Sequence, residues 1–275
     1  MYTVSIIGCG WLGFPLAKRL ILEGHSVNGS TTRLERFVDF ESAGINPFLL
    51  KAQNGKWEGE DLSTLLACEV LIISIPPGTR KNPDSLHAKE IKSLMQIIHE
   101  GRYPIKKIVF TSTTSVYQST NSILDEDSVK SEADAGNKIV YEAEQYVLSS
   151  EIPEKLVLRL GGLTGYERIL AKFFAGKQEL AGGNEPVNLV HRDDVISAII
   201  FLLNEKKVSG IVNVSSPMHP TKRAFYTFLC EQFQLTAPTF PEKLDGDWKE
   251  ISSDKLTRLG YKWIFENPLD FTYAF

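Results

Sequence analysis

The chain has 275 residues, 43% hydrophobic and 23% charged, with 20 Gly and 13 Pro, values that exclude a disordered, collagenous or disulfide-scaffold protein. Lys and Arg number 30 against 34 Asp and Glu, a net charge of −4, so no global field favours nucleic acid or a membrane surface as partner. The three cysteines, Cys9, Cys68 and Cys230, are odd in number, far apart and never at CxxC spacing, the usage expected of a reducing compartment. The chain opens as a strand, with no basic segment leading into an apolar one, and its longest helical apolar stretch, residues 195–203, is about half a membrane span. A cytoplasmic location is expected.

Strand and helix patterns alternate through the first two-thirds. Residues 4–7 are a short apolar strand, followed by glycines and an amphipathic helix over 12–23; residues 25–31 read as a second strand. The apolar run 70–75, stopped by Pro76-Pro77-Gly78, suits a strand buried on both faces. Helical periodicity covers 86–99. Residues 107–111 form another buried strand, ending in Ser112-Thr113-Thr114-Ser115. A helix is predicted over 137–149 and a strand over 155–160. Strands separated by helices imply right-handed crossovers and an α/β fold with a doubly wound, mainly parallel Rossmann sheet. Beyond residue 160 the pattern changes to loops at 161–165 and 181–186, a helix at 193–204, a strand at 211–214 and a helix at 221–234 capped by Thr221. The expected organisation is a dinucleotide-binding domain over 1–160, with 186–214 returning to the sheet. Residues 161–185 and 215–275 would form a smaller mixed lobe on the substrate side, over the sheet's carboxyl edge. Trp248, Tyr261, Trp263, Phe265 and Phe271 are expected to form that lobe's own core.

The sharpest motif is Ile6-Ile7-Gly8-Cys9-Gly10-Trp11-Leu12-Gly13, a GxGxxG that follows a strand and opens a helix. In that context Gly8 permits the tight turn, Gly10 lets the backbone approach a pyrophosphate, and Gly13 lets the helix lie close to the sheet. Trp11 and Leu12 lie in the same turn, where the helix N-terminus offers N–H groups and a partial positive charge. An NAD site calls for Asp or Glu at the end of the second strand; Gly29-Ser30-Thr31-Thr32-Arg33 stands there instead. Thr32 and Arg33 suit a 2′-phosphate, so NADP(H) is expected rather than NAD(H). Ser74, Ile75 and Pro76, with Thr111, are placed to line the cofactor crevice at the ends of the next two strands. His25, His87, His99, His191 and His219 lack any metal-ligand spacing, and no metal is expected.

The ordered set of this glycine loop, Ser112-Thr113-Thr114-Ser115-Val116-Tyr117, residues 158–165 (Leu-Arg-Leu-Gly-Gly-Leu-Thr-Gly) and Val190-His191-Arg192-Asp193-Asp194-Val195 resembles the extended short-chain dehydrogenase/reductases, the NAD-dependent epimerase/dehydratase superfamily. The resemblance covers roughly residues 2–235 and implies a catalytic hydroxyl at Thr113, with Tyr117 as a second candidate, and dimerisation through a pair of helices. Two features depart from the family. Its loop usually reads GxxGxxG, and its Tyr-x-x-x-Lys pair, in which Lys⁺ and the cofactor ribose lower the phenol's pKa, is missing. Alignment on Lys138 puts Asp134 at the Tyr position; alignment on Glu144-Gln145, which fits the helix better, puts Gly136 and Val140 at the two positions. Tyr103 and Lys107 have the spacing but are interrupted by Pro104.

The expectation is an atypical member: an NADP(H)-dependent oxidoreductase or epimerase acting on a small molecule with a non-standard acid/base. A non-catalytic, redox-sensing dinucleotide module is the alternative. The glycine loop also resembles the opening of β-hydroxyacid-type dehydrogenases, which would imply an all-helical C-terminal domain. Arg159 is a candidate for an internal carboxylate pair, Arg168 for an anionic substrate, and Asp193 or Asp194 for a helix cap beside His191.

Overall fold

The fold is taken from a computed structural model that describes residues 1–59, 61–205, 208–241 and 246–274. Residues 242–245 and 275 of the predicted lobe lie outside the described residues. In chain order the strands are β1 (Thr3–Ile7), β2 (Ser26–Thr31), β3 (Asn46–Gln53), β4 (Lys56–Gly59), β5 (Val70–Ile73), β6 (Lys107–Thr113), β7 (Ser122–Leu124), β8 (Glu154–Leu160), β9 (Gly162–Thr164), β10 (Leu189–His191), β11 (Gly210–Val214) and β12 (Lys249–Ile251). The helices are α1 (Gly13–Leu22), α2 (Phe37–Ser42), α3 (Leu62–Leu66), α4 (His87–Gly101), α5 (Lys138–Leu148), α6 (Ala171–Phe174), α7 (Arg192–Asn204), α8 (Lys222–Gln232) and α9 (Asp254–Arg258).

Eight strands form one sheet in the order β11-β8-β6-β5-β1-β2-β3-β4. β1 pairs in parallel with β2 and β5, β2 with β3, and β5 with β6. This is the doubly wound α/β sheet predicted from the alternation of elements. From β1 the chain builds outward through β2 and β3 on one side and through β5, β6 and β8 on the other. The carboxyl end of β1 is therefore the topological switch point, where such sheets bind ligands. Central β5 is buried at every residue, and that is why its sequence runs apolar without alternation.

The sequence pattern missed the hairpin of β3 and β4, the sheet's antiparallel edge. Its residues run from exposed to buried Leu50 and are mixed in polarity, as an edge strand allows. A polar ladder running inward from exposed Asn46 ties this side together: Asn46 donates to Asn28, Asn28 to Ser5, and the Ser5 hydroxyl to the Leu65 carbonyl. Helix ends follow local chemistry. Asn137 caps α5 by accepting from the Val140 N–H at 3.2 Å, and Thr221 caps α8 by accepting from Ala224 at 3.2 Å, each satisfying an orphan first-turn donor.

The chain divides into two compact units: residues 1–112, 137–159 and 199–211, and residues 113–136, 160–198 and 212–275. The first has a core built on Ile7, Leu71, Ile73, Ile91, Phe110 and Val157. The second has its own core around Ile169, Leu189, Phe225, Leu229 and Phe271. β11 is the edge strand of the eight-stranded sheet beside β8, and β10 pairs in parallel with β9. Residues 113–136 group with the second unit and supply β7, which pairs with β12. These strand pairs argue against the all-helical domain implied by a β-hydroxyacid-type dehydrogenase. Among the described residues no helix is long and apolar enough to cross a membrane.

Candidate functional site

At the end of β1, Gly8 has φ +87°, and a Cβ there would stand 2.4 Å from the Ser74 carbonyl oxygen. The turn is pinned from β2: Ser30 accepts from the Gly8 N–H through its hydroxyl at 3.0 Å and from the Cys9 N–H through its carbonyl at 2.9 Å. Gly13 faces a similar limit, its Cβ position lying 2.7 Å from the Gly8 carbonyl oxygen. Gly10 is different. Its nearest neighbour would be the Gly8 oxygen at 4.0 Å, so nothing within this unit requires glycine there.

Below the loop Cys9 is buried, and burial pushes its thiol up to about 12, which makes it unreactive packing. The N-cap of α1 is Leu12, which supplies no side-chain acceptor, and the first turn carries no acidic residue. The helix thus puts no anion of its own where the partial positive charge concentrates. Trp11 and Leu12 form the turn between Gly10 and Gly13.

After β2, Thr32 and Arg33 are exposed. The Arg33 side chain reaches solvent, with Glu35 at 3.9 Å as a loose ion-pair partner. Arg36, which the sequence motif does not single out, is the more buried cation. Its guanidinium lies 5.1 Å from the Phe14 ring and 5.2 Å from the Phe40 ring, with Asp39 at 3.7 Å. Phe14 is the second residue of α1, so this cation stands beside the glycine loop. A signal existed: two aromatics at positions 14 and 40 bracketing an arginine-rich turn.

Ser74 continues β5 by donating its N–H to Ile7 at 2.8 Å. Ile75 is half-buried and Pro76 exposed at the start of the Pro-Pro turn. Thr111 is buried and donates to the Ile73 carbonyl. The next residue, Ser112, donates at 2.5 Å to Glu144, which also receives the Arg159 guanidinium at 2.7 Å. Neither side chain of this pair has any solvent exposure. Arg159 thus has the internal carboxylate suggested from sequence, and the two anchor α5, β6 and β8.

In the second unit Thr113, the last residue of β6, accepts from the Ser115 N–H through its hydroxyl at 3.3 Å. Tyr117 is buried, and its phenol donates to Asn213 at 2.7 Å. Gly136 donates its N–H to Val116, and a Cβ on it would lie 2.6 Å from the Tyr117 carbonyl oxygen. Gly136 is where the better alignment puts the family's tyrosine, and the backbone leaves no room there for any side chain. Val140, at the lysine position, is buried in α5.

His191 is buried, with Nδ1 accepting from the Asp193 N–H and Nε2 meeting the Thr272 carbonyl at 3.1 Å. Asp193 accepts from the Tyr166 phenol at 2.7 Å. Asp194 accepts from the Tyr261 phenol and from the N–H groups of Ile264 and Phe265. Burial raises its pKa, and those three donors oppose the rise. The His-x-Asp-Asp segment therefore holds the C-terminal tail, a structural use of residues that resemble a catalytic set. Arg168 lies in the turn after β9, its pKa lowered by burial and by Arg192 nearby.

No protein-family model matches the chain. Among solved structures, the UDP-glucuronic acid 4-epimerase of Bacillus cereus, in complex with UDP-glucuronic acid and NAD, superposes with a TM-score of 0.76 at 16% identity, over 98% of this chain and 96% of that one. Human epimerase family protein SDR39U1 (isoform 2), with NADPH, superposes at 0.71 and 16% identity, over 97% and 96%. The fold is the one these two solved proteins share. In sequence the chain is 32% identical to protein YeeZ of Escherichia coli K-12 over 272 residues, 98% of each. This chain belongs to the family of protein YeeZ.

Proposed function

We propose that the protein binds NADP(H) at the switch point of its sheet and is an oxidoreductase or epimerase acting on a small molecule. The observation that carries the cofactor reading is Gly10: the glycines on either side of it answer to crowding inside the protein, and Gly10 answers to none. A residue kept free of a Cβ beside an uncapped helix start fits the close approach of a pyrophosphate. Gly8, Trp11, Leu12 and Gly13 would complete the cradle, with Ser74, Ile75 and Pro76 along the adenosine-to-ribose side of the crevice and Thr111 at the end of the next strand. Arg36, held against two rings, and exposed Arg33, with Thr32, would hold the 2′-phosphate. The neighbour solved with NADPH is in keeping with that preference. When bound, the dinucleotide would supply or accept hydride; the Thr113 hydroxyl, at the end of β6, is the candidate hydrogen-bond donor for a substrate oxygen. Tyr117 holds the loop through Asn213 in this reading.

The test is calorimetric titration with NADPH and NADH on wild type, Gly10→Ala and Gly8→Ala. Gly10→Ala should fold with an unchanged melting temperature and lose at least about tenfold in affinity, since the new methyl group meets only the ligand. Gly8→Ala should cost about 2 kcal/mol or more of stability through strain at positive φ and overlap with Ser74. Unchanged NADPH affinity in folded Gly10→Ala would overturn the cofactor site.

A further inference from the structure

The C-terminal tail, residues 261–274, belongs wholly to the second unit and is fastened there at both ends. Near its start the Asp194 carboxylate accepts from the Tyr261 phenol at 2.9 Å and from the N–H groups of Ile264 and Phe265 at 2.8 and 3.1 Å. Ser216 and Met218 add bonds to the carbonyls of Phe265 and Glu266. Near its end the Thr272 carbonyl meets His191 Nε2 at 3.1 Å and accepts from the Tyr166 N–H at 3.0 Å. Tyr166 makes that bond from a left-handed backbone, φ +51°, a strained conformation for an aromatic residue and a poor hold by itself. Between these ends Phe271 is buried against Ile169, Leu189 and Phe225.

His191 has no solvent exposure, and each of its nitrogens has a fixed role. Nδ1 accepts from the Asp193 N–H at 3.2 Å, so the ring proton lies on Nε2 and is donated to Thr272. The ring is neutral in this arrangement. A second proton would have to go on Nδ1, where it would face a donor. The Asp193 carboxylate, 3.8 Å away, is beyond hydrogen-bond distance and already accepts from the Tyr166 phenol. The ring has no room to swing toward it. Phe265 and Phe271 flank it with ring centroids at 4.4 and 5.4 Å, and a Cβ on Gly165 would stand 2.3 Å from Nε2. The charged and titratable groups facing the ring are Arg192 and Asp193 on its own segment and the Tyr166 phenol on the turn after β9. β9 and the tail bring Thr164, Thr272 and the two phenylalanine rings, none of which titrates.

We infer that residues 266–274 are a pH-operated strap: Asp194 holds the fixed end, His191 is the catch, and protonation of the imidazole frees Thr272 and lifts the segment from the core beneath it. With the strap closed, burial lowers the pKa of His191; with it open, the ring meets water at its ordinary value. The closed state therefore binds this proton less tightly than the open one. Closure is fully favoured above about pH 6.5 and weakens by up to about tenfold per pH unit below it. Asp194 works in the opposite sense. Burial raises its pKa, so its closed state binds a proton more tightly and acid leaves the fixed end in place. The buried Tyr273 oxygen has no hydrogen-bond partner among the described residues and regains water when the strap lifts.

Hydrogen exchange of the full-length protein, read by mass spectrometry and corrected for the pH dependence of intrinsic exchange, tests this. Peptides within 266–274 should lose about tenfold or more of their protection between pH 7 and pH 5. β1, which exchanges only through global unfolding, should stay about a hundredfold or more better protected than the strap at both pH values. His191→Gln keeps a donor for the Thr272 carbonyl but takes up no proton, and its strap should hold its protection within twofold across the range. Constant protection of 266–274 in wild type overturns the inference. Protection of the strap equal to that of β1 does so too, since the strap would then open only with the whole molecule. An equal loss in His191→Gln would remove His191 from its role. Should that variant not fold, the wild-type comparison of strap with β1 decides by itself.

Discussion

Gly8 and Gly10 are two residues apart and differ in surroundings: Gly8 has a positive φ and is crowded by Ser74, whereas a Cβ at Gly10 would meet only the Gly8 oxygen, at 4.0 Å. The motif names both, but only coordinates separate them. The same holds for the cations after β2. Arg33 follows directly from the sequence pattern, whereas Arg36 draws its importance from stacking on Phe14 and Phe40, which is pre-organisation that a linear sequence does not display. Arg36→Ala should therefore weaken NADPH by about tenfold or more while leaving NADH within twofold, as loss of one charge-assisted hydrogen bond predicts. Arg33→Ala should have the smaller effect, since its side chain must be ordered on binding. Titration of both variants with both dinucleotides checks this, and equal losses for NADPH and NADH would remove the 2′-phosphate from the account. Tyr117 shows the limit of motif reasoning: its position was legible, but its burial and its bond to Asn213 were not.

At the scale of elements, α5, β6 and β8 are joined by Ser112, Glu144 and Arg159 in a network without solvent exposure. A buried pair of this kind contributes little over a well-packed apolar replacement, but breaking it from one side strands a charge. Glu144→Gln should cost about 3–5 kcal/mol in urea unfolding, and the double change Glu144→Gln with Arg159→Met should recover a large part of that. An additive double variant would mean that the pair is not coupled. Lys107 plays a related part at the other end of β6, its amine reaching the last carbonyls of α7 and Glu154, where a cation is favoured by the helix dipole. The central parallel strands were legible because burial on both faces leaves an uninterrupted apolar run. The hairpin of β3 and β4 was not, because an edge strand tolerates Lys, Gln and Pro.

Stability of the whole molecule should carry the mark of His87. Its side chain is buried against Phe110, with Nδ1 lacking a hydrogen-bond partner among the described residues, and burial lowers its pKa to about 4. The unfolded chain therefore binds this proton more tightly than the folded one does. The contribution is fully present above the unfolded pKa of about 6.5 and is lost as pH falls toward 4. That loss is on the order of 3 kcal/mol. His191, lowered in the same direction by burial, adds to it. Wild type should lose stability over this window faster than His87→Leu does, and parallel curves for the two proteins would sink the assignment.

Local sequence determined the alternation of strands and helices, the glycine turn and the caps at Asn137 and Thr221. Each of these depends on neighbours within a few residues, through periodicity, φ preference or a side chain reaching its own helix. Tertiary structure alone decided which glycine was left open, which arginine was held rigid, that Asp194 anchors a tail some 70 residues away, and that His191 meets the carbonyl of Thr272. These depend on which distant segments pack together, and so on the burial, desolvation and close approach that packing brings.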